Sequence, residues 1–262
     1  MINNPHNLKP KKYLGQHFLR DQSVASRIVD FLQAEAGHTI VEIGPGQGVL
    51  TSRLLAKYED LWVIEVDPDA VDWLKKNLSI DLRIIHQDVL RWNPGEYIGP
   101  DTYFIGNLPY NISSPFFFFL LEHLDYISEG VFMIQKEVAD RICAAPGNKT
   151  YGILSILLGS YFSREYGFTV PPSVFYPPPK VQSGVIRLKK KENLPEVPFA
   201  DLKRVVKTAF NQRRKTLRNA LKSLTFQPFE EWEEWASLRA ENLDIPAFLT
   251  LARHLKKEDG VM

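Results

Sequence analysis

The stretch Val41-Glu-Ile-Gly-Pro-Gly-Gln-Gly-Val-Leu-Thr51 joins a short apolar run to a helical pattern of Leu50, Leu54, Leu55 and Tyr58 through Gly44, Gly46 and Gly48. An apolar run that enters a glycine-rich turn and leaves as a helix is a building unit of an α/β sheet. Glycine accepts positive φ and exposes bare backbone, and the helix N-terminus offers unpaired N–H donors to a ligand lying against the turn. The spacing is G-x-G-x-G, not the dinucleotide G-x-G-x-x-G/A, so a pyrophosphate need not be the ligand. Alone, the turn also fits a tight connection that binds nothing.

The alternation continues outward from this stretch. Leu61–Val66 precedes Ala70, Val71 and Leu74 at helical spacing, and Leu82–Ile85 and Thr102–Ile105 are further strand candidates. Upstream, Val24, Ile28, Phe31 and Leu32 recur at helical spacing behind Ser23, a candidate cap. Downstream, Val131–Ile134 and Val185–Leu188 complete the sheet, with helices near 137–145 and 151–162 between them. Parallel neighbours need crossover helices, so this order predicts a mostly parallel sheet covered by helices. The charged, proline-bearing stretch Lys189–Pro198 reads as a linker, and 199–256 carries helical patterns (Leu202, Val205, Val206, Ala209; Phe248, Leu249, Ala252) with no convincing strand. The expected organisation is a domain over 1–190 and a small all-helical domain over 199–262.

Composition narrows the class. A chain of 262 residues with 44% hydrophobic and 24% charged residues is ordinary globular material, too long for a disulfide scaffold. The longest apolar run, Phe116–Leu121, is far short of a membrane span. The single cysteine, Cys143, excludes an internal disulfide, and the polar start Met1-Ile-Asn-Asn-Pro-His6 lacks the apolar core of a secretion signal, so a cytoplasmic protein is expected, with no membrane partner. The net charge of +1 points to no partner, and any nucleic-acid footprint has to come from local clustering.

Two carboxylates sharpen the glycine turn. Glu65 ends the second strand and Asp88 follows the third. Acids at the carboxyl ends of successive parallel strands face one crevice, where one can bind ribose hydroxyls and another an adenine amino group. Each, taken singly, is equally readable as an ordinary exposed charge. After the fourth strand comes Gly106-Asn-Leu-Pro-Tyr-Asn-Ile-Ser113. Pro109 stiffens this turn and Tyr110 leaves it as a rigid aromatic plate suited to a flat base. An exocyclic amine is a poor nucleophile because its lone pair is delocalised into the ring. Two acceptors, the Asn107 side-chain oxygen and the Pro109 carbonyl, can hold its hydrogens and aim the lone pair at an electrophile. In isolation the four residues are also simply a proline turn.

These residues resemble S-adenosylmethionine-dependent N6-adenine methyltransferases, and more narrowly the KsgA-type small-subunit ribosomal RNA adenine dimethyltransferases. Ordered blocks carry the resemblance over nearly the whole chain: Lys12–Leu19, Glu42–Gly46, Val63–Asp67, Gln87–Val89, Asn107–Ser113, Gln135–Val138, Pro146-Gly147 with Tyr151-Gly152, Pro171–Val181 and Phe210–Arg218. The resemblance implies a Rossmann-like class I methyltransferase domain with S-adenosylmethionine as cofactor and no metal. It places Gly44 beside the methionine part, Glu65 on the ribose, Asp88 on the adenine amine and Asn107 near the reacting methyl, with Gly46 also at the cofactor and Gln16-His17-Phe18-Leu19 closing over it through His17 and Leu19. Asn107, Leu108, Pro109 and Tyr110 form the catalytic turn, and Phe175 corresponds to an aromatic that sandwiches the target base against Tyr110; a core phenylalanine is the alternative. The chain departs from the family where His17 replaces the usual Asn and Gln182 a common Asp.

Lys203, Arg204, Lys207, Arg213, Arg214, Lys215, Arg218 and Lys222 put eight positive charges in twenty residues with no Asp or Glu. Such runs are commonly just solvated surface; beside a base-handling site they read as an RNA footprint, with Arg213, Arg214, Lys215 and Arg218 as the expected contacts. The acidic run Glu230, Glu231, Glu233 and Glu234 restores neutrality. The expected substrate is two neighbouring adenosines near the 3′ end of 16S RNA within an immature small subunit, each dimethylated by a protein with no need to be more than a monomer. A large-subunit adenine methyltransferase shares the cofactor motifs; a ribosome-assembly binding factor also fits the basic run; a nicotinamide dehydrogenase is disfavoured by the glycine spacing.

Overall fold

The structure is a computed structural model that describes residues 8–78 and 82–256. It divides into two compact units, Met1–Ala139 with Glu165–Lys190, and Asp140–Arg164 with Lys191–Met262. The first unit holds β1 (Phe18–Leu19), α1 (Gln22–Phe31), β2 (Ile40–Ile43), α2 (Thr51–Leu55), β3 (Leu61–Glu65), α3 (Pro68–Asn77), β4 (Arg83–His86), β5 (Thr102–Asn107), α4 (Ser113–Glu122) and β6 (Ile127–Gln135). The ranges of α5 (Lys136–Ile142) and β7 (Phe162–Val170) span the boundary, while α6 (Ile153–Tyr161) belongs to the second unit. β8 (Phe175–Tyr176) and β9 (Ser183–Lys190) return to the first, and α7 (Phe199–Asn211), α8 (Leu217–Ala220), α9 (Trp232–Ala236) and α10 (Ile245–Arg253) complete the second.

Seven strands form one sheet in the order β4-β3-β2-β5-β6-β9-β7. Neighbours from β4 to β6 are parallel, and β9 runs antiparallel to β6, from Glu129↔Lys189 to Gln135↔Ser183. β2 lies between β3 and β5, so the connections leaving its two neighbours diverge. A crevice therefore opens beyond the carboxyl ends of β2 and β5. All four residues of β2 are buried, Glu42 included. The phenylalanine-rich α4 buries Phe116, Phe117 and Phe119, and the first two meet Phe132 of β6 edge-on at 5.2 and 5.8 Å.

The sequence reading is corrected in several places. Asp21, not Ser23, caps α1, its carboxylate accepting from the Ser23 and Val24 N–H groups at 2.8 and 3.0 Å. β7 was hidden because its interior alternates exposed with half-buried residues and it follows α6 without a break. Phe18↔Tyr176 and Leu19↔Phe175 form a small separate antiparallel pair. The helical unit takes in Asp140–Arg164, which the sequence places with the sheet. α6 is buried along almost its whole length and meets α7 and α10, whose Leu202, Val205, Val206, Phe248 and Leu251 form the core of that unit. Among the described residues no helix is long and apolar enough to cross a membrane.

Candidate active site

At the carboxyl ends of β2 and β5 lies a cleft of about 720 Å³, counted out to its open mouth. Its walls are an N-terminal strap, Leu14–Leu19; the glycine turn Gly44–Gln47; Glu65 and Val66 after β3; and the corner Asn107–Tyr110. Glu42 lines it from the end of β2.

The glycine turn has the backbone its sequence requires. Gly44, Gly46 and Gly48 all have positive φ (64°, 54° and 75°), and a Cβ on Gly46 would stand 2.9 Å from the Phe18 ring of the strap. The Gly46 N–H donates to Glu65 Oε2 at 3.1 Å, while Oε1 accepts from the Val66 and Asp67 N–H groups at 2.9 Å each. Three backbone donors thus fix a carboxyl group with about four acceptor positions, leaving capacity for one more donor. Burial pushes Glu65 above the ordinary carboxyl range against the pull of those N–H groups. Glu42 is in a different state: burial, opposed by the polar groups of Thr51 and assisted by Glu65, pushes it from 4.5 to about 8. Its Oε2 and the Thr51 hydroxyl have no hydrogen-bond partner among the described residues.

The strap is tied down by a buried acid. Asp67 accepts from Lys11 Nζ at 2.5 Å and from Gln16 Nε2 at 2.8 Å, and Lys11 also reaches Asp69 at 2.8 Å. Burial raises the Asp67 carboxyl, but the Lys11 and Gln16 bonds overcome it and hold the group below the ordinary range. Gln47 Nε2 donates to the Leu8 carbonyl at 3.2 Å. Gly15 touches the corner so closely that a Cβ there would meet Asn111 Oδ1 at 2.7 Å.

At the corner, Asn107 Nδ2 donates to the His17 carbonyl at 3.0 Å, which settles the orientation of the amide and leaves Oδ1 without a donor among the described residues. The Pro109 carbonyl, expected to receive the amine, already accepts from the Ile112 N–H and Ser113 Oγ, both at 3.1 Å, because it opens the turn into α4. The Leu108 carbonyl accepts nothing among the described residues and is the uncommitted backbone oxygen next to Asn107. The Tyr110 hydroxyl is anchored to Ser183 Oγ at 2.8 Å, and burial pushes its ionisation up.

Of the expected catalytic and cofactor residues, His17, Leu19, Gly44, Gly46, Glu65 and Asn107–Tyr110 line one cleft, and two do not. Asp88 caps the turn after β4, accepting from the Leu90 N–H at 3.0 Å. Phe175 is 4% exposed and packs in the core with Leu19 and Val174, so it is not an open base-stacking face. The ring beside Tyr110 is that of His17, 5.5 Å away between centroids and tilted by 32°. In the helical unit, Arg213 bonds Glu241 at 2.6 Å and the Lys149 carbonyl at 2.7 Å, and Arg218 pairs with Glu233 at 2.8 Å. Two of the four expected RNA contacts are thereby partnered within the protein, while Arg214 and Lys215 are exposed. Sequence reasoning gave no role to Glu42, Lys11, Asp67 or Ser183. A carboxylate in an otherwise apolar strand was the available signal for Glu42.

The strand order, the reversed β9 and the glycine turn over a cleft define a Rossmann-like class I methyltransferase fold. The model of the family "Ribosomal RNA adenine dimethylase" matches residues 7–256. The chain is 45% identical over 258 residues to the ribosomal RNA small subunit methyltransferase A of Flavobacterium johnsoniae (97% of this chain, 98% of that protein). It is 47% identical over 256 residues to that of Porphyromonas gingivalis (95% and 99%). Among solved structures it is similar to a dimethyladenosine transferase from Plasmodium falciparum, with TM-score 0.78 and 25% identity over 90% of this chain and 96% of that one. The 23S rRNA methyltransferase ErmE shares the fold, with TM-score 0.69 and 24% identity over 91% and 99%. The chain belongs to the ribosomal RNA adenine dimethylase family.

Proposed function

We propose that this protein transfers methyl groups from S-adenosylmethionine to N6 of two adjacent adenosines near the 3′ end of 16S ribosomal RNA, in an immature small subunit in the cytoplasm, acting as a monomer. The small-subunit names of relatives at 45% and 47% identity over nearly full length support the choice of RNA. The cofactor supplies an electrophilic methyl group on a sulfonium.

The residues present suit such a cofactor. The Gly44–Gly48 turn lets it approach bare backbone. Glu65 has acceptor capacity for a ribose hydroxyl, and the unpartnered buried oxygen of Glu42 suits a cationic neighbour. Asp88, outside the cleft wall, has one carboxyl oxygen uncommitted among the described residues and is the proposed adenine contact.

One observation carries the reading: Asn107 Oδ1 and the Leu108 carbonyl accept nothing among the described residues, at a corner where the Pro109 carbonyl and the Tyr110 hydroxyl are engaged. Together they accept the two hydrogens of an exocyclic amine and hold its lone pair out of conjugation, toward the cofactor side of the cleft. Tyr110, locked by Ser183, supplies a flat face for the base, and the strap excludes water above it. Arg214 and Lys215 are the proposed phosphate contacts; such contacts hold RNA without specifying sequence.

The test is Asn107→Ala. Methyl transfer to small subunits lacking the modification is expected to fall by ~10²-fold or more while subunit binding persists. Unchanged transfer would remove the corner from the mechanism, and mapping label to large-subunit RNA would overturn the choice of substrate.

A further inference from the structure

We propose that Arg20 and Tyr176 form a second nucleotide contact at the rim of the cleft, Tyr176 stacking on an unpaired base next to the target adenosine and Arg20 binding a phosphate beside it. The inference rests on the methyl-transfer reading above and deepens it with a residue pair that holds the RNA outside the cleft.

The β1–β8 pair sets the two side chains on one face. Phe18 stands opposite Tyr176 and Leu19 opposite Phe175, and the Arg20 N–H continues the ladder to the Val174 carbonyl at 2.8 Å. Side chains alternate along a strand and directly opposed residues share a face, so Phe18, Arg20 and Tyr176 lie on one side and Leu19 and Phe175 on the other. The second side is core, with Leu19 and Phe175 each 4% exposed. The first carries Phe18 to the glycine turn at Gly46. Arg20, diagonal to Tyr176 across the pair, brings its guanidinium 4.0 Å from the centre of the Tyr176 ring. Contacts one residue further on join this pair to the base-handling corner. The Pro177 carbonyl lies 2.7 Å from His17 Nδ1, the His17 ring leans on Tyr110, and the His17 carbonyl holds Asn107 Nδ2. Tyr176 therefore stands beside the Asn107–Tyr110 end of the cleft.

The fold does not use the pair up. Tyr176 is 45% exposed although the guanidinium covers part of its ring. Arg20 has no ion pair and its guanidinium no hydrogen bond among the described residues. The neighbouring acid, Asp21, is turned to the Ser23 and Val24 N–H groups of α1. A guanidinium stacked on a phenol ring makes a flat surface edged by N–H donors, which suits a base and an adjoining phosphate together. RNA needs such a surface at this place. A base drawn out of its stack to reach Tyr110 leaves its neighbour unstacked, and a second aromatic face at the rim recovers that stacking. Every base has such a face, so the contact adds grip without choosing sequence.

The experiment compares wild type, Arg20→Met, Tyr176→Ala and Tyr176→Phe on unmodified small subunits, with melting and S-adenosylmethionine affinity as checks of the fold. Tyr176→Ala is expected to raise the KM for subunits by about 10-fold, the loss of one base–aromatic stack, with kcat within about two-fold of wild type. Tyr176→Phe keeps the ring and should rescue most of that affinity. Arg20→Met should lower the logarithmic salt slope of subunit binding by about 0.7, one phosphate of a single strand. A photoreactive p-azidophenylalanine placed at position 176 should crosslink to RNA adjacent to the methylated adenosines. A wild-type KM for Tyr176→Ala, an unchanged salt slope for Arg20→Met, a phenylalanine variant as weak as the alanine one, or a crosslink to protein or to distant RNA would each overturn the assignment. If Tyr176→Ala does not fold, Arg20→Met and the crosslink decide. Absence of transfer by wild type would overturn the methyl-transfer reading itself, while subunit binding and the crosslink stay measurable, so the two failures are distinct.

Discussion

Glu42 should make the protein less stable as the solution becomes more alkaline, and Glu42→Gln should remove its share of that trend, the buried Glu65 and Glu129 keeping theirs. The carboxyl is 1% exposed, has an unpartnered oxygen, and is pushed by burial from 4.5 to about 8. A carboxyl whose folded pKa lies above its unfolded one costs nothing below pH 4.5, because both states hold the proton. Between 4.5 and about 8 the unfolded chain is ionised while the folded one stays protonated, and stability falls by about 1.4 kcal/mol per pH unit. The full cost is about 5 kcal/mol above pH 8, and about 3 kcal/mol has accrued at pH 7. Glutamine keeps the shape without the proton equilibrium, so at pH 7 the variant should melt higher by roughly 6–12 °C, at 2–4 °C per kcal/mol for a chain of this size. Melting curves from pH 4 to 9 should converge at the acid end and separate toward pH 8. Curves that stay parallel, or a variant less stable at pH 8, would refute the reasoning. The counterpart is functional: a cationic cofactor favours the ionised acid, so its binding at pH 7 should release close to one more proton from wild type than from Glu42→Gln. Calorimetry in two buffers of different ionisation enthalpy measures that difference.

Three further results are expected. Lys11→Met removes the cation that holds Asp67 below the ordinary range, so the strap should loosen. Faster hydrogen exchange of the Gln16–Leu19 amides and weaker S-adenosylmethionine binding should follow, and neither changing would show that the strap is held by other contacts. Charge reversal at Arg214 and Lys215 should weaken RNA binding and reduce its logarithmic salt slope by about 1.5, roughly 0.7–0.9 per phosphate lost. Arg213→Glu should instead lower the stability of the helical unit, because it severs the Glu241 and Lys149 bonds; a pure binding defect with unchanged melting would contradict that.

Much of this molecule follows from local sequence. Strand and helix alternation around Gly44–Gly48 implies the parallel sheet, since a helix between apolar runs forces a crossover, and glycines with positive φ need little tertiary context to be recognised. The cleft-lining roles of Gly44, Glu65 and Asn107–Tyr110 were readable because strand ends converge on one edge of such a sheet. What sequence could not supply was the state of each group, because hydrogen bonds and burial depend on partners far along the chain. Whether Pro109 or Leu108 offers its carbonyl depends on Ile112 and Ser113 closing the turn. Phe175 is core because β8 pairs with β1, more than 150 positions earlier, and the same pairing carries His17 to Tyr110. The basic run looked uniform in sequence, yet Glu241 and Glu233 pair with Arg213 and Arg218 within the protein. Glu42 was one acid in an apolar strand until seven-stranded packing removed water from around it and left one oxygen facing the cleft wall without a partner.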